Sequence, residues 1–205
     1  MSTLLPPARP RITSAEVESL LQPFGIYREQ HPLVVMGHRG YYNRMGGPGN
    51  NRGLYDDAIS LVTPNLTATF NGNTDPTAED RTGLASLKPG LYHAYRFDTH
   101  GGSIPHLALC QRAGTVVVKR DNTEHFDEGV QHGKYGKHLG GGYWEGHFGI
   151  NIHRGGNSTT SSLGCQTIPP EQWGSFIASA TGEAKRLFGD KWRKTTIPYV
   201  LVEAA

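Results

Sequence analysis

Two residues that could carry covalent chemistry, His153 and Cys165, lie twelve positions apart. A cysteine thiol has an ordinary pKa of about 8.5, so near neutral pH it becomes a useful nucleophile only when a neighbouring base removes its proton. The segment between the two residues is rich in glycine and serine and has too few apolar side chains to bury the thiol for packing alone. The pair therefore predicts a Cys–His enzyme, against the alternative of a packed thiol beside a capping histidine.

The residues before His153 predict the direction of its side chain. Apolar residues alternate with others over 148–153, which is typical of a half-buried strand. We expect its isoleucines to face inward, so Asn151 and His153 share the opposite face. The glycine pair at 155–156 then permits a reversal that brings Cys165 within hydrogen-bond reach of the imidazole.

The residues around Cys165 indicate how a reaction there would be assisted. The backbone amides of Cys165 and Gln166 are candidates for stabilising a developing oxyanion, and Gly164 lets the backbone approach closely. The Gly164 carbonyl, the Asn151 side chain or Ser162 is expected to orient the imidazole. The sequence does not choose among these three.

The segments Ile-Asn-Ile-His and Ser-Leu-Gly-Cys resemble the active-site signature of the L,D-transpeptidase (YkuD-like) catalytic domain, within residues 149–173. The residues that match the signature are Ser162, Gly164, Cys165 and His153. Arg154 follows the histidine where the family has Gly or Ser, and Gln166-Thr167 follows the cysteine where the family has a hydrophobic residue and then Arg or Asn. The His-to-Cys spacing is also shorter than in most of the family.

This resemblance implies a cysteine enzyme that acts on the stem peptides of bacterial peptidoglycan. Cys165 would attack the carbonyl of meso-diaminopimelate and expel D-alanine, and His153 would take the thiol proton and give it to the leaving amine. Water as the second substrate makes the enzyme an L,D-carboxypeptidase or endopeptidase, whereas an amine makes it a transpeptidase. We expect hydrolysis without a cofactor, and a general likeness to phage-encoded members of the family.

Length and composition limit the fold and the partners. The 205 residues are expected to form one domain, residues 1–205. The 27 glycines favour a mainly β (α+β) fold with many turns, which the resemblance makes a β-sandwich or barrel. Local patterns add a short N-terminal helix and one amphipathic helix after the cysteine loop. A net charge of +2 is too small to indicate nucleic acid. We expect a monomer.

The sequence also bears on where the protein acts. Residues 1–10 contain prolines and arginine but no apolar run, which predicts no secretory signal, and no segment reaches the roughly 18 apolar residues of a membrane span. We therefore expect synthesis in the cytoplasm and action in the periplasm or cell wall after release or delivery. A phage endolysin, an injected antibacterial effector and a bacterial enzyme trimmed of its signal all fit. A non-catalytic phage structural or wall-binding protein is the alternative from a different class.

Local patterns predict two helices and several strands. Thr13 and Glu16 form a capping box for a helix over 14–22 that Pro23 ends. The Pro-Pro pair at 169–170 starts a helix with one apolar face, capped by Gly189. Further strands are predicted at 33–36, 57–62, 66–70, 90–97, 106–110, 115–120 and 197–202. Pro198 indicates an edge position for the last of these, and Cys110 is expected in the core.

Several further residues are candidates for binding substrate. The glycine-rich segment 38–53 carries arginines and tyrosines suited to carboxylates and sugars, unless it is only a surface loop. The resemblance puts 143–144 in a lid over the cleft, and Arg154 is expected either to hold a substrate carboxylate or to solvate its loop. The candidates are Arg39, Arg44, Tyr143, Trp144 and Arg154.

A group of histidines allows one more hypothesis, a zinc site with Asp127 or Glu145 as an extra ligand. The histidines are His125, His132, His138, His147 and His153. They lack the spacing of a helical His-x-x-x-His pair or of a tight His-x-His pair. We therefore expect no metal, and an exposed lid whose histidines are solvated.

Overall fold

The computed structural model describes residues 4–6, 8–45, 51–79, 81–101 and 104–203, without the side chains of residues 44 and 45. Its two α-helices are α1 (Ser14–Leu21) and α2 (Pro170–Phe188). Its strands are β1 (Val34–Arg39), β2 (Asp57–Thr63), β3 (Leu66–Gly72), β4 (Ala85–Leu87), β5 (Gly90–His100), β6 (His106–Gln111), β7 (Val116–Arg120), β8 (Lys137–Gly140), β9 (Tyr143–Gly146), β10 (Ile152–Arg154), β11 (Gln166–Ile168) and β12 (Ile197–Glu203).

The larger of two sheets curls into a nearly closed barrel. Its eight strands run in the order β11-β10-β6-β5-β12-β1-β2-β3, and a bridge between Asn73 and Thr167 joins the two edges. Each of these two residues donates its N–H to the carbonyl of the other at 2.8 Å. The strands β4-β7-β9-β8 form the second sheet. The prediction of a mainly β (α+β) architecture is confirmed.

Helix α2 covers part of the barrel with one apolar face. Trp173, Phe176, Ala180 and Ala184 are buried in the main core because they recur at spacings of three and four residues. Gly189 ends the helix with φ 53°, a left-handed conformation that favours glycine. The sequence predicted both features, and the core position of Cys110 is likewise confirmed.

At α1, the Thr13–Glu16 capping box is present, but the helix ends at Leu21. Pro23 is accommodated in a 3-10 turn, Gln22–Phe24, because a proline near the start of a turn has no N–H to leave unpaired.

The predicted edge position of the last strand is wrong. β12 lies inside the sheet, parallel to β1 and antiparallel to β5. Pro198 is tolerated there because the pairing with β5 shifts between Ile197 and Tyr199, where the ladder needs no N–H from residue 198. Among the described residues, no helix is long and apolar enough to cross a membrane.

Candidate functional site around Cys165 and His153

The strands β10 and β11 bring the segments that carry the two predicted residues side by side. They pair in parallel with His153 opposite Thr167, and Cys165 immediately precedes β11. The half-buried Cys165 thiol accepts a hydrogen bond from the Asn151 N–H at 3.3 Å and donates one to the Gly149 carbonyl at 3.4 Å. The backbone just before β10 therefore holds the sulfur.

The turn that presents Cys165 is fixed by its own side chains. Ser162 Oγ donates to the Cys165 carbonyl at 2.7 Å and accepts from the Gly164 N–H at 2.9 Å. Thr77, which is distant in the sequence, also binds this turn, because its hydroxyl accepts a hydrogen bond from the Ser162 N–H at 2.9 Å. Gly164 has φ +146°, and a Cβ there would lie 2.4 Å from the Ala85 carbonyl oxygen. Only glycine fits this position.

The chain before β10 is organised by one buried side chain, Gln111. Its Oε1 accepts three successive backbone N–H groups, those of Phe148, Gly149 and Ile150, at 3.0, 2.9 and 3.2 Å. These amides are therefore not available to a neighbouring strand, and β10 begins only at Ile152. The predicted burial of the isoleucines holds, since Ile150 and Ile152 lie in the core.

His153 is buried, and its tautomer follows from its surroundings. Its Nδ1 lies 2.8 Å from the Arg154 carbonyl oxygen, which can only accept, so Nδ1 carries the proton and Nε2 has the free lone pair. Burial, followed by the neighbouring His100 and His106, lowers the pKa of His153 to about 4. The imidazole is therefore neutral at physiological pH.

Two further histidines from the β5–β6 hairpin complete a cluster around His153. The His100 ring stacks on His153 at 4.1 Å between centroids, and His106 lies 6.1 Å away. The Asn151 side chain donates to His100 Nδ1 at 3.0 Å, and the Arg154 N–H donates to His106 Nε2 at 3.3 Å. Asn151 thus contacts the thiol through its backbone and the histidine cluster through its side chain.

The thiol and the imidazole are not joined in this resting arrangement. No hydrogen bond links Cys165 Sγ to His153 in the described part of the chain, whereas the sequence predicted such contact. Burial raises the pKa of the Cys165 thiol to about 11, and the Asn151 N–H only partly offsets this. Both groups therefore rest in their neutral forms, and activation of the thiol by His153 stays a prediction.

The predicted supporting roles are partly corrected. The Gln166 amide is not free for an oxyanion, because it donates to the Asn151 carbonyl at 2.8 Å as part of the sheet. Among the described residues, neither Asn151, Ser162 nor the Gly164 carbonyl bonds to His153; the Arg154 carbonyl does so instead. The Cys165 amide stays a prediction.

Most of the predicted substrate-binding side chains lie elsewhere. Trp144 is fully buried and donates from Nε1 to Thr123, so it belongs to the core and cannot cover a substrate. Tyr143 lies on the β8–β9 hairpin, with the ammonium groups of two lysines 5.0 and 5.9 Å from its ring centroid, and its lid role stays a prediction. The buried Arg39 pairs with Asp75 and bonds to two backbone carbonyls.

The two remaining arginine candidates differ in what the structure describes. The Arg44 side chain lies outside the described residues. Arg154 is exposed beside the site, and its carboxylate-binding role stays a prediction.

The sequence analysis expected the histidines of segment 125–147 to be solvated, and this is wrong for one of them. His138 is buried, and its ring lies 4.5 Å from that of Trp144. Among the described residues, no group of three or more His, Cys, Asp or Glu side chains is arranged to hold a metal ion.

Three residues of the site were missed from the sequence, namely His100, His106 and Gln111. The two histidines flank the connection between two predicted strands, and they lie opposite each other once β5 extends to residue 100. Pairing those strands as a hairpin would have found them. For Gln111, no local pattern indicates that its side-chain oxygen accepts hydrogen bonds from three backbone amides distant in the sequence.

Comparisons of the chain with protein-family models, with curated proteins and with solved structures find no match.

Proposed function

We propose that the protein is a cysteine-dependent enzyme that cleaves the stem peptides of bacterial peptidoglycan at the bond between meso-diaminopimelate and D-alanine. The proposal rests on one observation together with the signature resemblance. Cys165 directly precedes β11 and His153 lies on the neighbouring parallel strand β10, and the imidazole presents a neutral Nε2 lone pair while a carbonyl holds its Nδ1 proton.

The resting protonation states favour general-base catalysis over a pre-formed ion pair. The thiol pKa of about 11 and the imidazole pKa of about 4 make proton transfer unfavourable before substrate binds. Sγ attacks the carbonyl carbon while its proton moves to His153 Nε2, and the imidazolium then protonates the departing D-alanine nitrogen. The hydrogen bond between thiol and base forms in the substrate complex, as is common for catalytic contacts that are long in free enzymes.

The resulting thioester on Cys165 is released by water in the hydrolytic reaction. His153 takes a proton from that water, the new carboxyl group leaves, and the thiol is restored with the proton from the imidazolium. An amine in place of water makes the enzyme a transpeptidase. We favour hydrolysis after release or delivery to the wall, as in a phage endolysin or an antibacterial effector.

A non-catalytic wall-binding or phage structural protein is the second candidate. The observation that favours it is the neutral thiol without a hydrogen bond to His153. Such a protein binds wall material but releases nothing from it.

Digestion of purified muropeptides, with products identified by mass, tests the proposal. The wild type is expected to remove one D-alanine, whereas crosslinking or amino-acid exchange gives different masses. Cys165→Ser is expected to be inactive and His153→Gln to lose about 10²- to 10⁴-fold in kcat. Cys110→Ala is the matched control, because Cys110 is a core residue whose thiol donates a hydrogen bond to the Asp98 carbonyl. Binding without any product would support the second candidate, and turnover by Cys165→Ser would refute the thiol mechanism.

A further inference from the structure

A buried arginine without an acidic partner lies close to the Cys165 turn. Arg120 is 7% exposed at the end of β7. Its guanidinium lies over the rings of Tyr135 and Phe148, at 5.2 and 4.6 Å, and one terminal nitrogen donates to the Gly83 carbonyl. Within the described part of the chain, Arg120 forms no ion pair and its Nε has no hydrogen-bond partner.

A buried guanidinium without a counter-charge lowers the stability of the folded protein. A buried charge normally has a counter-charge and a full set of hydrogen bonds, and two aromatic faces supply only part of that stabilisation. Burial accordingly lowers the pKa of Arg120 from its ordinary value. The missing anion is the feature to explain.

Arg120 lines an open cavity, here called the Arg120 cavity, of about 490 Å³. This volume is in the range of small-molecule sites. Arg81 and Lys134 add two further cations, and none of the described lining residues is acidic. The electrostatic character of the cavity is therefore that of an anion site.

One side of the cavity wall is apolar, and it is shared with the Cys165 turn, whereas Thr82 and His147 add polar side chains elsewhere in the lining. The apolar side is lined by Leu84, Ala85, Ile150 and Leu163. Ala85 pairs with Arg120 in the sheet and donates its N–H to the Leu163 carbonyl, two residues before Cys165. Leu163 is 65% exposed, so this wall offers hydrocarbon surface for a ligand to cover.

We propose that the Arg120 cavity binds a small carboxylate with an apolar body, with the carboxylate on the guanidinium and the body against the wall shared with the Cys165 turn. A planar carboxylate fits the two-pronged guanidinium, and the apolar wall favours hydrocarbon over a fully hydrated anion. Binding does not require catalysis. If it serves the reaction by holding an acidic part of the substrate, that role rests on the proposed function.

Calorimetric titration at constant ionic strength tests the binding, with 3-phenylpropionate as probe. Its neutral amide, 3-phenylpropionamide, lacks the charge, and inorganic phosphate lacks the apolar body. We expect saturable binding of the carboxylate alone, about 10- to 100-fold weaker in Arg120→Met. Arg112→Met is the matched control, because it removes a partly exposed arginine that pairs with Asp98 on the surface.

Each other outcome counts against the proposal. It is overturned by equal affinity in Arg120→Met and the wild type, by amide or phosphate binding as tightly as the carboxylate, and by the absence of saturable binding. If circular dichroism shows that Arg120→Met is unfolded, NMR of the wild type replaces it. The Arg120 Nε–H resonance, identified by its loss in Arg120→Lys, should shift on titration with 3-phenylpropionate, and no shift overturns the proposal. Since the probe is not turned over, its failure is distinct from failure of the proposed reaction.

Discussion

Backbone amides and backbone carbonyls determine the chemical state of Cys165 and His153. The Asn151 N–H and the Gly149 carbonyl hold the thiol, and the Arg154 carbonyl selects the imidazole tautomer. His100 stacks on the same imidazole and disfavours a second positive charge beside it. A base that stays neutral over the physiological range follows from these contacts.

The pH dependence of kcat/KM tests this account of His153. Because a protonated imidazole cannot accept the thiol proton, activity is expected to rise with pH through about 4 and to stay level between about 5 and 8. In His100→Gln the acid midpoint should move up only part of the way towards about 6.5, the ordinary value for histidine, because burial, the larger cause, remains. A wild-type midpoint already near that value would contradict the assignment.

Among the secondary-structure elements, the turn from Ser162 to Cys165 depends on its contact with β4. Gly164 adopts a left-handed φ and packs directly on the Ala85 backbone. Since Ala85 is also the strand partner of Arg120, the same short strand supports both the thiol turn and the Arg120 cavity.

We predict that Gly164→Ala lowers activity at least about tenfold and destabilises the fold by about 1–3 kcal/mol, because the new Cβ collides with the Ala85 carbonyl. Gly182→Ala is the matched control. It lies on exposed helix surface with nothing within 4 Å of the added Cβ, and it should stabilise the protein by about 0.5–1 kcal/mol. Denaturation curves and turnover measure both effects, and equal behaviour of the two variants would refute this role for Gly164.

The difference between local and distant interactions explains how far the sequence predicted these elements. Helix α2 follows from a Pro-Pro start, a periodic apolar face and a glycine cap, all within one continuous segment, 169–189. The pairing of the segments that carry His153 and Cys165 was anticipated because both lie on one strand-turn-strand segment. The histidine cluster, by contrast, depends on how β5, β6 and β10 pair, and no local pattern contains that register. The interior place of β12 likewise depends on β1, far away in the chain.

The whole molecule keeps the site strands in place by closing the barrel. The Asn73–Thr167 bridge joins the end of β3 to β11, the strand that follows Cys165. Helix α2 packs against the same edge of the barrel and binds β3 through hydrogen bonds. Gln172 in α2 accepts from the Asn71 N–H at 3.0 Å and donates to the Asn71 side-chain oxygen at 2.9 Å. Both side chains are buried, so each bond replaces one to water.

Gln172→Ala is expected to lower the free energy of unfolding by about 1–3 kcal/mol, because it leaves buried polar groups of Asn71 without partners. Ser175→Ala, an exposed position on the same helix, should change it by less than about 0.5 kcal/mol. Urea denaturation followed by circular dichroism gives both values. A Gln172→Ala protein as stable as the wild type would show that the Gln172–Asn71 hydrogen bonds contribute nothing to the stability of the closed barrel.

The central claim is that the Cys165 thiol forms the bond to the substrate, and reversible blocking of that thiol tests it most directly. A Cys110→Ala protein is treated with methyl methanethiosulfonate, which adds only a small S-methyl group, and the modified fraction of Cys165 is read by mass. D-alanine release from muropeptides is predicted to fall in proportion to that fraction and to return when dithiothreitol removes the group. Full activity in protein whose Cys165 is completely modified would contradict the account.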